Sequence, residues 1–127
     1  MKLRIVIADD NLGVLLQFAS ILQNEFDIVA AVPDGGLALE AIRSLRPDVA
    51  VLDLRMPVLD GIQLAKRLKE ESHCPAVVIC SVEEDQEFVE AAQHAGALGY
   101  VFKSRIARDL LDAIRSVTQG RSFVSLR

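Results

Sequence analysis

The chain has 127 residues, of which 51% are hydrophobic, and its 14 basic and 18 acidic side chains give a net charge of −4. This length predicts one domain, because domains typically hold about 100–200 residues, and the apolar content suffices for a packed core. The negative balance argues against direct binding of nucleic acid, which requires a basic surface. The apolar start is too short for a signal peptide and no segment approaches the ~20 apolar residues of a membrane span, so a soluble cytoplasmic protein without membrane contact is expected.

Short apolar runs alternate with helical patterns along the chain. The runs predict five buried strands, at Leu3–Ala8, Asp27–Val32, Asp48–Asp53, Ala76–Cys80 and Gly99–Phe102. Apolar residues at helical spacing predict a helix after each strand, and they are Leu12, Leu15, Leu16, Ala19 and Leu22, then Leu39 and Ile42, then Ile62, Ala65 and Leu68, then Phe88, Val89 and Ala92, then Leu110, Ile114 and Val117. This alternation predicts a parallel sheet with helices on both faces.

The last eight residues follow the fifth helix and form no predicted element. They are GRSFVSLR and include the apolar residues Phe123, Val124 and Leu126. We therefore assign residues 1–119 to one folded domain and residues 120–127 to a C-terminal tail or to the start of a linker.

Polar side chains end or directly follow four of the predicted strands, and they are Asp9 and Asp10, Asp53, Ser81 and Lys103. Right-handed crossovers bring the carboxyl ends of parallel strands to one edge of the sheet, and sites in open α/β sheets form at that edge. We therefore expect three carboxylates, a hydroxyl and an amine to meet there.

The adjacent residues Asp9 and Asp10 have two interpretations. Acidic side chains are favoured at a helix N-terminus whatever the function. Alternatively they form a site for a hard cation, because Mg²⁺ prefers carboxylate and carbonyl oxygens together with water, and Asp53 supplies a third carboxylate. Such an acidic loop repels phosphate, which argues against a dinucleotide site.

Asp53 also has two interpretations. A single aspartate at the end of a strand is often only solvated. Beside a bound cation, however, a carboxylate can attack phosphorus to give aspartyl phosphate, while Lys103 and Ser81 hold the phosphoryl oxygens. Individually, Lys103 is an ordinary surface lysine and Ser81 an ordinary helix cap, but their place at one edge favours phosphoryl transfer.

The two cysteines do not indicate a metal site. Cys74 and Cys80 lack the further cysteine or histidine ligands of a zinc centre, and His73 alone does not supply them. Cys80 is expected to be a reduced, buried residue.

The combined motifs are similar to those of the receiver domains of two-component response regulators. The resemblance rests on Asp9-Asp10, on Asp53 with MPVLDG after it, on Ser81, and on AGALGYVFK ending in Lys103. It covers essentially the whole chain. It implies a flavodoxin-like α/β fold, a doubly wound (βα)5 arrangement with a five-stranded parallel sheet in the order 2-1-3-4-5.

The resemblance also implies the roles of the acidic residues. Asp53 would be the phosphoacceptor, which takes a phosphoryl group from the phosphohistidine of a sensor histidine kinase. Asp10, Asp53 and the backbone carbonyl of Arg55 would bind Mg²⁺ directly, and Asp9 would bind it through water. Mn²⁺ is expected to substitute for Mg²⁺.

Further roles follow from the same resemblance. Ser81 and Lys103 would hold the phosphoryl oxygens, and Ser81 with Tyr100 would form the switch. Arg55 and Glu83 lie two residues beyond the phosphoacceptor and Ser81, at positions that tune phosphoryl lifetime in the family. Their side chains either meet above the phosphoryl group or point separately into solvent.

Ser104 departs from the family pattern, since many receivers have proline directly after the lysine. This feature, with GALGYVFKS and AIRSVTQGRSFVS, resembles the NarL/FixJ subgroup, in which a LuxR-type helix-turn-helix domain follows the receiver. DNA binding and transcription regulation are therefore expected only through an output domain outside these residues. A homodimer on phosphorylation is also expected. The chain would not be an enzyme acting on other substrates, but would catalyse its own phosphoryl transfer and autodephosphorylation.

Two other functions are alternatives to that of a receiver. Phosphatases of the haloacid dehalogenase type also form aspartyl phosphate, but they need a second aspartate two residues after the nucleophile, where this chain has Arg55. A domain of the same fold that serves only for protein interaction is the other alternative. Phosphorylation by acetyl phosphate distinguishes it from a receiver.

Overall fold

The structure is a computed structural model, and it describes residues 2–126. The strands are β1 (Arg4–Ala8), β2 (Asp27–Val32), β3 (Val49–Asp53), β4 (Ala76–Ser81), β5 (Gly99–Phe102) and β6 (Phe123–Val124). The α-helices are α1 (Leu12–Leu22), α2 (Gly35–Leu45), α3 (Gly61–Leu68), α4 (Gln86–Ala95) and α5 (Ile106–Thr118), and a 3₁₀ turn, Lys103–Arg105, precedes α5. The predicted alternation of strands and helices is confirmed.

All neighbouring strands are parallel, in the order β2-β1-β3-β4-β5-β6. The predicted order of the first five strands is therefore confirmed. Alternate residues of each strand face opposite helical layers, as the side-chain period of two requires. One core includes Val6 and Leu52 and packs against α2, α3 and α4, and the other includes Ile7 and Val51 and packs against α1 and α5.

Side-chain caps start three of the helices where the chain leaves the carboxyl edge of the sheet. The carboxylate of Asp60 accepts a hydrogen bond from the backbone of Gln63, whose side chain accepts one from the backbone of Asp60. Asn11 and Asp34 cap α1 and α2 in the simpler one-bond form. These caps satisfy backbone donors that have no partner inside a helix, and they fix the loops that surround the edge.

The C-terminal segment differs from the prediction, because it adds a sixth strand. Phe123 and Val124 pair with Gly99 and Tyr100 of β5. The backbone N–H of Phe123 donates to the carbonyl of Leu98, 3.0 Å away. A strand of two residues is too short to show a period of two, so the sequence predicts no element there.

Two leucines of the apolar helical pattern in α1 are exposed. Leu12 and Leu16 are 69% and 62% exposed, whereas Leu15 and Leu22 are buried in the core. Helix α1 is apolar nearly all round, so spacing alone does not show which face packs. Within residues 2–126, no helix has the length and apolar character needed to cross a bilayer.

The cysteines lie near opposite ends of β4. Cys80 is buried, and burial raises the pKa of its thiol well above the usual value. Cys74 is exposed, and partial burial of its thiol also raises the pKa, against the opposing charge of Lys69.

Candidate functional site at the carboxyl edge of the sheet

The predicted site residues from β1, β3 and β5 meet at the carboxyl edge. Asp9 directly follows β1, Asp53 ends β3, and Lys103 directly follows β5. Strands β1 and β3 are neighbours, so their carboxylates are adjacent. The backbone N–H of Asp9 donates to Val32, and its Oδ1 accepts from the N–H of Asn11 at 2.9 Å, which holds the acidic loop in place.

Three carboxylates converge at this edge. One oxygen from each of Asp9, Asp10 and Asp53 lies within 4.8 Å of the others. Asp9 is fully buried and Asp53 is 6% exposed, whereas Asp10 faces solvent. The Nζ of Lys103 lies 2.9 Å from Asp9 Oδ2 and 3.2 Å from Asp53 Oδ1. The site therefore combines an open side with two carboxylates that are withdrawn from water.

Burial and charge oppose one another in setting the protonation of this cluster. Burial raises the pKa of Asp53, the neighbouring charge of Asp9 raises it further, and Lys103 offsets only part of the shift. Burial would by itself lower the pKa of Lys103, but the carboxylates of Asp9 and Asp53 outweigh it and raise that pKa. The lysine is thus held as a cation between two carboxylates.

The donor set fits a hard divalent cation. Asp9 Oδ2 is buried, and although it forms an ion pair with Lys103 it has no hydrogen-bond partner of acceptable geometry within the described residues. Three carboxylates face one ammonium group, which leaves an excess of negative charge. Oxygen donors with this charge are those that Mg²⁺ prefers, and the exposed position of Asp10 leaves room for the waters that Mg²⁺ retains.

Ser81 and Tyr100 are linked through the backbone of Glu83. Ser81 is 1% exposed and its Oγ accepts a hydrogen bond from the N–H of Glu83 at 3.0 Å. The hydroxyl of Tyr100 donates to the carbonyl oxygen of Glu83 at 2.7 Å, and burial raises its pKa. The ring is 1% exposed. The aromatic side chain that the resemblance makes part of the switch is therefore packed inside the domain.

Arg55 and Glu83 meet, which distinguishes between the two arrangements considered for them. The nearest guanidinium nitrogen and carboxylate oxygen are 3.3 Å apart, and the Arg55 side chain is 66% exposed. The guanidinium also lies 5.7 Å from the centre of the Phe88 ring. The sequence includes Phe88 only in the helical pattern of α4, and that pattern does not reveal a contact with the loop that bears Arg55.

The loop after Asp53 packs closely on the start of α2. The N–H of Gly35 donates to the carbonyl of Pro57 at 3.1 Å. A Cβ on Gly35 would overlap the carbonyl oxygen of Leu59, so only glycine permits this approach. Val58 is 75% exposed and has a φ of 75°, which is unusual for a β-branched residue.

The loop after β5 contains no cis peptide bond, so the Lys103–Ser104 bond is trans. The hydroxyl of Ser104 donates to a carboxylate oxygen of Glu84 at 3.1 Å, which connects the loops after β4 and β5.

Comparison with known proteins identifies this arrangement. Residues 5–115 match the response regulator receiver domain family. The oxygen regulatory protein NreC of Staphylococcus haemolyticus is 32% identical over 98% of this chain and 59% of its own length. The transcriptional regulatory protein DegU of Brevibacillus brevis is 32% identical over 97% of this chain and 53% of its own length. The chain therefore spans less than two thirds of these relatives.

Two solved structures have the same fold. The receiver domain of the response regulator NarL from Mycobacterium tuberculosis has a TM-score of 0.85 and 31% identity, over 94% of this chain and 98% of that one. A LuxR-family response regulator from Aurantimonas sp. SI85-9A1 has a TM-score of 0.90 and 28% identity, over 97% of this chain and 89% of that one. The flavodoxin-like fold and the family predicted from the motifs are both confirmed, and the chain belongs to the response regulator receiver domain family.

Proposed function

We propose that this receiver domain accepts a phosphoryl group on Asp53 from the phosphohistidine of a sensor histidine kinase. The observation that carries the proposal is the cluster at the carboxyl edge. It brings the carboxylates of Asp9, Asp10 and Asp53 within 4.8 Å of one another and places the Lys103 ammonium 3.2 Å from Asp53 Oδ1. A nucleophile, a place for a cation and a fixed positive charge thus lie together.

In the transfer, an Asp53 carboxylate oxygen forms a bond to phosphorus while the bond from phosphorus to the imidazole nitrogen breaks. The electron pair of the broken bond stays on that nitrogen. Such reactions depend on positioning and on stabilisation of charge at the phosphoryl oxygens. Lys103 supplies a fixed cation for those oxygens. Ser81 ends β4 at the same edge, and its hydroxyl would donate to those oxygens while its Oγ accepts from the N–H of Glu83.

Mg²⁺ would be held by Asp10, by Asp53, by the backbone carbonyl of Arg55 and, through water, by Asp9. When bound it offsets negative charge on the phosphoryl oxygens and orients the group. Mn²⁺ has similar preferences for oxygen ligands and would substitute. The three carboxylates, which outnumber the single ammonium group of Lys103 beside them, support this assignment.

The proposal extends to signalling in a longer protein. NreC and DegU are regulatory proteins by name, and this chain covers 59% and 53% of them. We infer that a LuxR-type output domain binds DNA and regulates transcription in the cytoplasm, and that phosphorylation promotes a homodimer of the receiver. The receiver would catalyse its own phosphoryl transfer and autodephosphorylation.

Labelling with acetyl phosphate in the presence of Mg²⁺ tests the phosphoacceptor role. The intact mass should rise by one phosphoryl group, and Asp53→Asn should abolish the increase. Asp10→Asn should weaken it severely, because a cation ligand is lost. Asp27→Asn, which removes an exposed carboxylate on β2, is the matched control and should be labelled normally.

Two results would contradict the proposal. Full labelling of Asp53→Asn at another residue would overturn the assignment of the nucleophile. Failure of the unmodified chain to gain mass with Mg²⁺ present would instead favour a domain of the same fold that serves only for protein interaction.

A further inference from the structure

A second buried polar network lies away from the reacting edge. Asp109 of α5 is 9% exposed and Ser125, just after β6, is 3% exposed. The hydroxyl of Ser125 donates to Asp109 Oδ2 at 2.7 Å, and the Nε of Arg105 donates to the same oxygen at 3.0 Å. Two donors, one from the 3₁₀ turn and one from the C-terminal segment, therefore share one carboxylate oxygen of α5.

The same serine also holds the backbone of β5. Its N–H donates to the carbonyl of Tyr100 at 2.9 Å, and its Oγ accepts from the N–H of Phe102 at 3.1 Å. These bonds lie on either side of Val101, at the end of the strand that leads directly into Lys103. Backbone hydrogen bonds are enough to pair a short edge strand with its neighbour. The buried carboxylate of Asp109 is therefore not needed for the pairing of β6 with β5.

The 3₁₀ turn joins the network to the reacting edge. Its first residue, Lys103, contacts Asp53, and its last residue, Arg105, contacts Asp109. The turn is thus anchored by charge at both ends, while Ser125 fixes the strand that precedes it. Displacement of the strand or of the turn would move the lysine relative to the phosphoacceptor.

We propose that Ser125 and Asp109 are positioning residues for phosphoryl transfer, and that they hold Lys103 in place from the C-terminal segment. This inference rests on the proposed function of Asp53. Residues 120–126 are then a working part of the receiver rather than a passive connection to whatever follows.

The test uses Ser125→Ala in the full chain, with Ser122→Ala as a matched control. Ser122 is an exposed serine in the same segment. Because a misplacement of ~1 Å can cost ~100-fold in rate, a smaller shift of the lysine should slow labelling by acetyl phosphate about tenfold at saturation. The affinity for Mg²⁺ should stay unchanged, since none of its proposed ligands is touched. Ser125→Thr keeps the hydroxyl and should restore most of the rate.

Asp109→Asn is the second variant, because it keeps the shape of the side chain and removes its charge. It should slow labelling by acetyl phosphate, as Ser125→Ala should. If both variants unfold more easily but label at the normal rate while folded, the network only fastens the edge of the sheet and the inference is wrong.

A second measurement separates this inference from the proposed function. In the unphosphorylated protein, Ser125→Ala should shift the side-chain NMR signals of Lys103 and speed amide exchange at Phe102, whereas Ser122→Ala should do neither. Failure of the parent chain to label refutes the proposed function. Unchanged Lys103 signals in Ser125→Ala refute the positioning role, whether or not the parent chain labels.

Discussion

Replacing the phosphoacceptor should stabilise the metal-free protein. In Asp53→Asn a buried carboxylate becomes a neutral amide of nearly the same shape. Unit charges 3–5 Å apart interact by about 3–5 kcal/mol at an effective dielectric constant near 20. The repulsion from Asp9 and the attraction to Lys103 are therefore of similar size and largely cancel, so that the cost of burying the charge determines the sign.

The expected gain in the free energy of unfolding is about 1 kcal/mol at pH 7, because incompletely compensated burial of a polar group costs about 1–3 kcal/mol. For a domain of this size, such a gain raises the melting temperature by about 3–6 °C. Urea or thermal unfolding in the presence of EDTA measures it. Asp27→Asn removes an exposed carboxylate and should leave the stability nearly unchanged.

The pH dependence follows from the raised pKa of Asp53. The ionised carboxyl is disfavoured in the folded state, so the penalty is present above the folded pKa. It disappears as the pH falls through that pKa toward the unfolded value of about 3.9. The advantage of Asp53→Asn should therefore shrink on acidification.

Mg²⁺ should reverse the order of stability. At a concentration ten times its Kd, a ligand that binds only the folded state stabilises it by about 1.4 kcal/mol. The parent chain should gain this amount, and Asp53→Asn should gain little, because it lacks a ligand. A variant less stable than the parent in EDTA, or an equal response of both proteins to Mg²⁺, would refute the reasoning.

Three further predictions concern the loops around the site. Replacing both Arg55 and Glu83 by serine should speed the loss of phosphate from Asp53. Labelling should persist, because an exposed ion pair contributes only ~0–1 kcal/mol to the stability of the fold. Decay of the acyl phosphate measures its lifetime, and an unchanged lifetime would show that the pair has no role in setting it. Phosphorylation should alter amide exchange as far as Tyr100, because the Tyr100 hydroxyl donates to the backbone carbonyl of Glu83 in the loop after β4. Changes in exchange that are confined to the surroundings of Asp53 would contradict this coupling. Gly35→Ala should lower the free energy of unfolding by about 2–3 kcal/mol through overlap with Leu59, and unchanged urea unfolding would show that the loop yields.

Most of the fold and the composition of the site could be predicted because strand ends are visible in the sequence. Asp53 ends an apolar run, and β2 and β5 have the bounds that their patterns indicate. Parallel topology then brings these ends to one edge without any knowledge of side-chain contacts. The spacing of apolar residues in α1 does not show that Leu12 and Leu16 are exposed, because these residues surround the helix and their burial depends on tertiary packing.

The remaining features depend on contacts between residues distant in sequence. Ser125 and Asp109 are 16 residues apart and resemble ordinary surface side chains until β6 pairs with β5. The contact of Arg55 with Phe88 joins the loop after β3 to helix α4, and no local period encodes it. The inward position of Tyr100 depends on its side-chain rotamer, in which the hydroxyl donates to the backbone carbonyl of Glu83.

The two cysteines provide a means of observing this protein without altering the reacting edge. Cys74 precedes β4 and is exposed, whereas Cys80 is buried near the other end of that strand and its raised pKa keeps it protonated. Because the thiolate is the reactive form, a maleimide or a fluorescent alkylating dye should attach to Cys74 alone in the folded state, most readily at mildly alkaline pH. The native chain therefore offers a single attachment point for a spectroscopic reporter, at the opposite end of the sheet from Asp53.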